Sequence, residues 1–184
     1  MGWAAVKTNE PAPDFVLFDT TGKQHILSTY KGSYVVLEWT NQGCPFVQKH
    51  YNSGNMQSLQ KEFTGKKVVW LSICSSAKGK EGSMTAEEWN KVIAEKNINA
   101  TAVLLDSDGS VGKQYGAKAT PHMFIINPEG VLIYQGAIDD RPTTDVADIK
   151  GATNYVRQAL NEAISGKKVS VPTTKAYGCS IKYQ

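Results

Sequence analysis

Tyr34-Val35-Val36-Leu37-Glu38-Trp39-Thr40-Asn41-Gln42-Gly43-Cys44-Pro45 is the stretch on which the fold turns. Its first six residues are β-branched, aromatic or apolar apart from Glu38, the composition of a strand buried on both faces. Thr40 to Gly43 form a short turn. Cys44-Pro45 then reads as a helix start, because proline at the first helical position loses no hydrogen bond and places Cys44 at the N-cap. A thiol there faces unpaired backbone N–H groups and the positive end of the helix dipole, both of which favour thiolate over thiol. Cys44 is therefore the candidate nucleophile, against the commoner fate of a lone cysteine as a small inert core residue.

Outward from this unit, strand-like and helix-like stretches alternate, the signature of an α/β chain. Upstream, two short apolar runs flank Thr21-Gly22-Lys23 and read as an N-terminal hairpin. Downstream, the helix from Pro45 is interrupted at Asn52-Ser53-Gly54, with Ser53 expected to cap its restart through Met56, Leu59 and Phe63. Val68 to Ile73 reads as a second buried strand. Thr85-Ala86-Glu87-Glu88 is a capping-box pattern opening a helix to about Lys96. Ala102 to Leu105 and Met123 to Ile126 are further strands, with a short helix near Val111 to Tyr115 between them. Asn127-Pro128-Glu129-Gly130 turns the chain into Val131 to Tyr134. The spacing of Ile149, Tyr155, Val156, Ala159, Leu160, Ala163 and Ile164 predicts one amphipathic helix from Val146 to Ile164. Residues 166–184 show no period.

With 184 residues, 41% hydrophobic and 20% charged, the composition is that of a globular chain able to build a core without disulfide staples. The chain reads as one domain, 1–184, with an N-terminal extension over 1–12 and a C-terminal tail over 166–184. Nearly all its cations are lysines interspersed with acids, a pattern of solvated surface rather than of a phosphate-binding stripe, so no nucleic-acid partner is expected. No apolar run is long enough to span a membrane, and the first residues lack the apolar core of a leader peptide. As written, the chain reads as cytoplasmic; removal of a leader would make it periplasmic or secreted. Three cysteines, Cys44, Cys74 and Cys179, are too few for a disulfide scaffold or a four-ligand zinc site. His25, His50 and His122 are scattered, and neither a metal nor a cofactor is expected.

Pro11-Ala12-Pro13-Asp14-Phe15, the run from Gly22 to Trp39, Gly43-Cys44-Pro45-Phe46-Val47 and the run from Ala119 to Gly136 together resemble the thioredoxin superfamily, in particular redoxin or AhpC/TSA peroxiredoxin-like proteins with one cysteine at the usual site. The resemblance implies a thioredoxin-like fold: a central mixed sheet flanked by helices, with an N-terminal hairpin extension. It also implies that Cys44 attacks and that Pro121 is the cis-proline facing it, turning the Thr120 backbone toward a bound disulfide or peptide. Glu38 matches the buried carboxylate that relays protons in thioredoxins; burial would raise its pKa, and a salt-bridged or edge-exposed glutamate is the alternative.

Two departures from the family pattern matter. Val47 replaces the second cysteine of a C-x-x-C motif, which removes disulfide exchange within the motif. Leu37 and Asn41 stand where peroxiredoxins place proline and threonine, although Thr40 or Asn41 remains a candidate hydrogen-bond donor. Arg141 is expected near Cys44 at the end of the returning strand, in competition with a surface pair to Asp139 or Asp140.

The expected function is that of a thiol-dependent oxidoreductase acting on a peroxide or a disulfide and re-reduced by a thiol protein such as a thioredoxin. The alternative class is a noncatalytic thioredoxin-fold binding module, or a redox or metal sensor, with an unreactive Cys44. Cys179 and Cys74 compete as resolving thiol. The residues after Ile164 span up to ~60 Å when extended, so Cys179 has the reach, and relatives of this type carry a similar Gly-Cys near the C-terminus. A permanent structural pairing, or simple packing, is the other fate open to Cys179.

Overall fold

The computed structural model describes residues 5–184, so the first part of the expected extension over 1–12 lies outside the described residues. The elements follow in chain order: β1 (Val16–Asp19), β2 (Gln24–Ile26), β3 (Val35–Trp39), α1 (Pro45–Asn52), α2 (Asn55–Thr64), β4 (Val69–Cys74), α3 (Ala86–Glu95), β5 (Ala102–Leu105), α4 (Ser110–Tyr115), β6 (Ala119–Thr120), β7 (His122–Ile126), β8 (Leu132–Gly136), α5 (Tyr155–Ile164) and β9 (Cys179–Ser180). Among the described residues, seven strands form one sheet in the order β2-β1-β5-β4-β3-β7-β8. The sheet is mixed: β3 lies parallel to β4 and antiparallel to β7, and β4 is parallel to β5. The N-terminal hairpin joins this sheet through β1, which pairs antiparallel with β5.

β3 occupies the interior of the sheet, and all five of its residues are buried. Its alternation supplies two cores. Val36 packs with Trp70, Met123 and Ile125 under Val47, Met56, Leu59 and Phe63 of α1 and α2 and Val156 and Leu160 of α5. Leu37 and Trp39 face the other way, onto Leu71, Ile73, Phe124 and the Val111 and Tyr115 side chains of α4. The capping box of α3 is formed as expected, with Thr85 and Glu88 bonding each other's backbone amides.

Three local expectations are corrected. Ser53 is the C-cap of α1 and α2 starts from Gly54, whose φ of 77° is one glycine adopts without strain, while the Ser53 hydroxyl still accepts the Asn55 amide at 3.3 Å. The helix expected from Val146 to Ile164 is two pieces: a 3-10 turn over Val146–Gly151, then α5, which Asn154 caps by accepting the Arg157 amide. The break arises because Thr153 and Asn154 pair with Asp140 and Asp139 instead of continuing the helix. The tail, which shows no period in sequence, is docked: β9 pairs antiparallel with β6, setting Cys179 opposite Thr120.

Candidate active site

β3 ends at Trp39, and the chain turns at Asn41, whose carbonyl accepts the Cys44 amide at 3.0 Å and whose side-chain oxygen accepts the Gly43 amide at 2.8 Å. Cys44 is the N-cap of α1 with Pro45 at the first turn, and the Gln48 amide donates to its carbonyl at 2.9 Å. β7 approaches from the antiparallel side, its first residue His122 opposite Trp39. The Thr120–Pro121 peptide is cis, and the Thr120 carbonyl oxygen lies 3.4 Å from the Cys44 sulfur.

Cys44 is bonded to Cys179, 135 residues away in sequence, with the two Cα atoms 6.0 Å apart. β9, paired antiparallel along β6, delivers Cys179 to Cys44. The approach is close enough to require glycine at position 178. Its φ is 146°, and a Cβ there would collide with the Thr120 carbonyl. Beyond the cysteine, the Ile181 amide donates to Lys118 and the Ala77 amide to Lys182, and the Tyr183 hydroxyl donates to the Ala117 carbonyl at 2.9 Å. The tail is thus a strap laid from one side of the sheet end to the other. Cys74, the competing thiol, is free and buried, its sulfur bonded to the Gly82 carbonyl; burial raises its pKa.

Glu38 points into the α1–α2–α5 core and is fully buried. One carboxylate oxygen accepts from Trp70 Nε1 at 2.9 Å, Ser72 Oγ at 2.8 Å and Gln60 Nε2 at 3.1 Å, and the other accepts from the Tyr51 hydroxyl. Loss of water raises its pKa above the ordinary carboxylate value, and these bonds work against that rise without cancelling it. Neither a salt bridge nor edge exposure describes it.

The remaining candidates divide. Thr40 and Thr120 have buried hydroxyls without a partner, on the two segments that flank Cys44. Asn41 bonds Gly43 and also donates to Glu81, so it shapes the turn. Arg141 does not turn toward the cysteines: its guanidinium, half exposed, bonds the Gly151 carbonyl and sits beside Asp140, the surface pairing that competed with the site role. Sequence reading passed over Tyr177, which packs edge-on against Phe46 of α1 at 5.8 Å; an aromatic two residues before the tail cysteine was the available signal. The histidines do not converge: His122 accepts the Lys118 amide and stacks on Phe124, while His50 bonds Asn55 and Tyr177.

A central mixed sheet, a cysteine at the start of the helix after its middle strand, and a cis-proline segment against that sulfur define a thioredoxin-like redoxin. The chain belongs to the AhpC/TSA family, whose sequence profile matches residues 8–135. It is 28% identical over 132 residues, 72% of this chain and 68% of the relative, to the thiol-disulfide oxidoreductase ResA of Bacillus subtilis (strain 168). A hypothetical protein from Sinorhizobium meliloti 1021 superposes with a TM-score of 0.83 at 26% identity, covering 98% of this chain and 97% of that one. The thioredoxin domain of a thiol-disulfide oxidoreductase from Bacteroides vulgatus shares the fold, with a TM-score of 0.57 at 21% identity over 80% of this chain and 98% of its own.

Proposed function

We propose that the protein is a thiol–disulfide oxidoreductase in which Cys44 attacks and Cys179 resolves. The Cys44 thiolate attacks one sulfur of a substrate disulfide, forming a mixed disulfide and releasing a substrate thiolate. Cys179, as thiolate, then attacks the Cys44 sulfur, expels the second substrate sulfur and closes the Cys44–Cys179 bond. The substrate gains two electrons and the cysteine pair loses two. A reducing thiol protein such as a thioredoxin reverses the pair's oxidation. The observation that carries this reading is the Cys44–Cys179 bond itself, joining a helix-start cysteine to one borne on the strap. Cys44 is wholly buried in that state whereas Cys179 is partly exposed, so the reductant's thiolate attacks the Cys179 sulfur.

Hydroperoxide is the second oxidant, favoured by the unpartnered hydroxyls of Thr40 and Thr120, which suit a bound oxygen. Here the Cys44 thiolate takes the distal oxygen of ROOH, a proton converts the leaving alkoxide to ROH, and Cys179 condenses with the resulting sulfenic acid to release water.

Mass spectrometry of the reduced protein after one equivalent of oxidised glutathione, or of hydrogen peroxide, separates the readings. Formation of the Cys44–Cys179 bond with oxidised glutathione but not with peroxide supports disulfide exchange, and formation with the single equivalent of hydrogen peroxide supports the peroxidase. If Cys44 reacts with neither, the oxidoreductase reading fails and the noncatalytic binding module replaces it.

A further inference from the structure

Tyr177 stands two residues before Cys179 and enters a buried polar cluster apart from the sulfur chemistry. Its hydroxyl donates to Asp139 Oδ1 at 2.6 Å, and His50 Nε2 lies 3.1 Å from the Tyr177 hydroxyl oxygen. His50 Nδ1 is 2.9 Å from Asn55 Nδ2, which can only donate. That bond makes Nδ1 the acceptor and leaves the proton on Nε2, so one directed chain runs from Asn55 through neutral His50 and Tyr177 to the Asp139 carboxylate. The other Asp139 oxygen is 4.0 Å from His50 Nε2, and the Arg141 amide donates to Oδ1 at 2.9 Å. Lys49 closes the cluster: its ammonium donates to the Arg141 carbonyl at 2.8 Å and lies 5.5 Å from the centre of the Tyr177 ring. Lys49, His50 and Asp139 are each no more than 2% exposed. Burying three ionisable side chains is costly unless they are paired, and what this cluster grips is the strap.

We propose that Tyr177, seated on Asp139, His50 and Lys49, is the positioning residue that holds Cys179 against Cys44 in the dithiol state and thereby sets the equilibrium between dithiol and disulfide. The inference rests on the Cys44–Cys179 exchange proposed above. In the oxidised form the covalent link keeps the strap docked whatever its anchor, so loss of the anchor is felt in full. In the dithiol form a weakened strap escapes that penalty by lifting off. Removing the anchor therefore destabilises the disulfide relative to the dithiol, as loss of preorganisation does in any intramolecular reaction.

The test is the equilibrium Cys44–SH + Cys179–SH + GSSG ⇌ Cys44–S–S–Cys179 + 2 GSH, followed by acid quench, alkylation and mass spectrometry across glutathione ratios. Tyr177→Phe keeps the ring over Lys49 and against Phe46 but removes the hydroxyl. It is expected to lower the equilibrium constant about tenfold, a rise of about 30 mV in reduction potential. Asp139→Asn is expected to act in the same direction. Thr85→Ala, which breaks the capping bonds between Thr85 and Glu88 and removes none of the strap's hydrogen bonds, is the control: it lowers stability and is expected to leave the equilibrium unchanged. Values for Tyr177→Phe and Asp139→Asn within twofold of the wild type would overturn the proposal, as would an equal shift from Thr85→Ala. Failure of the wild type to form the disulfide at any ratio would overturn the exchange reading and this inference together. Its formation with unshifted variants would remove this inference alone.

Discussion

At the scale of single residues, Cys44, the proposed nucleophile, sits at a helix start, whereas Glu38 sits inside the core. Cys44→Ser is expected to abolish thiol-dependent turnover while leaving the far-UV spectrum unchanged, because an N-cap serine suits the helix as well as cysteine does. Cys179→Ser is expected to stop at a Cys44–glutathione adduct after treatment with oxidised glutathione, detected by mass spectrometry; an intramolecular disulfide in that variant would transfer the resolving role to Cys74. For Glu38 the hydrogen-bond pattern decides between two substitutions. Glu38→Gln keeps one oxygen for Trp70, Ser72 and Gln60 and turns its amide group toward the Tyr51 oxygen, at a cost of about 1 kcal/mol. Glu38→Ala strands all four donors in a dry core and should cost at least ~3 kcal/mol by urea denaturation. Equal costs would mean that the carboxylate is not the acceptor at the centre of this network.

At the scale of elements, β3 and the start of α1 were legible because each is defined by its own residues: a buried strand by its apolar run, a helix start by Cys-Pro. The capping box at Thr85 was legible for the same reason. The helix expected from Val146 was misread because its apolar spacing runs on through residues 152–154, where pairing with Asp139 and Asp140 overrides it. The tail was illegible because nearly everything that orders it lies on other elements: the edge of β6, the Ala77 amide, the Ala117 carbonyl and the Asp139 cluster. Arg141 was placed at the right end of the sheet, but its side-chain direction follows from Asp140 and Gly151, which no local pattern encodes. Gly178→Ala tests the strap as an element. The added Cβ must push the strap off the Thr120 carbonyl, so the oxidised fraction in a fixed glutathione buffer should fall by at least tenfold with little change in helix content.

At the scale of the whole molecule, acid sensitivity follows from buried histidines. Burial holds both His122 and His50 at a pKa of about 4, below their ordinary 6.5, with the Lys118 charge adding to the depression at His122, and Asp139 opposing and Lys49 adding to it at His50. Between those values the unfolded chain binds protons that the folded chain refuses, so stability is fully present above pH 6.5 and is lost as pH falls toward 4. Glu38 and Asp106, whose pKa values are raised by burial, act in the opposite sense. His122→Gln is therefore the discriminating variant: it keeps an acceptor for the Lys118 amide, and its melting temperature should fall less between pH 7 and pH 5 than the wild type's. The bond between Cys44 and Cys179 has a further effect at this scale. With its ends 135 positions apart in sequence, it turns most of the chain into a covalent ring. Closing a ring of that size removes about 5 kcal/mol of unfolded-state freedom by the chain-entropy relation. The oxidised protein should then survive a protease that digests the reduced one, so that its lifetime reports the electron supply around it.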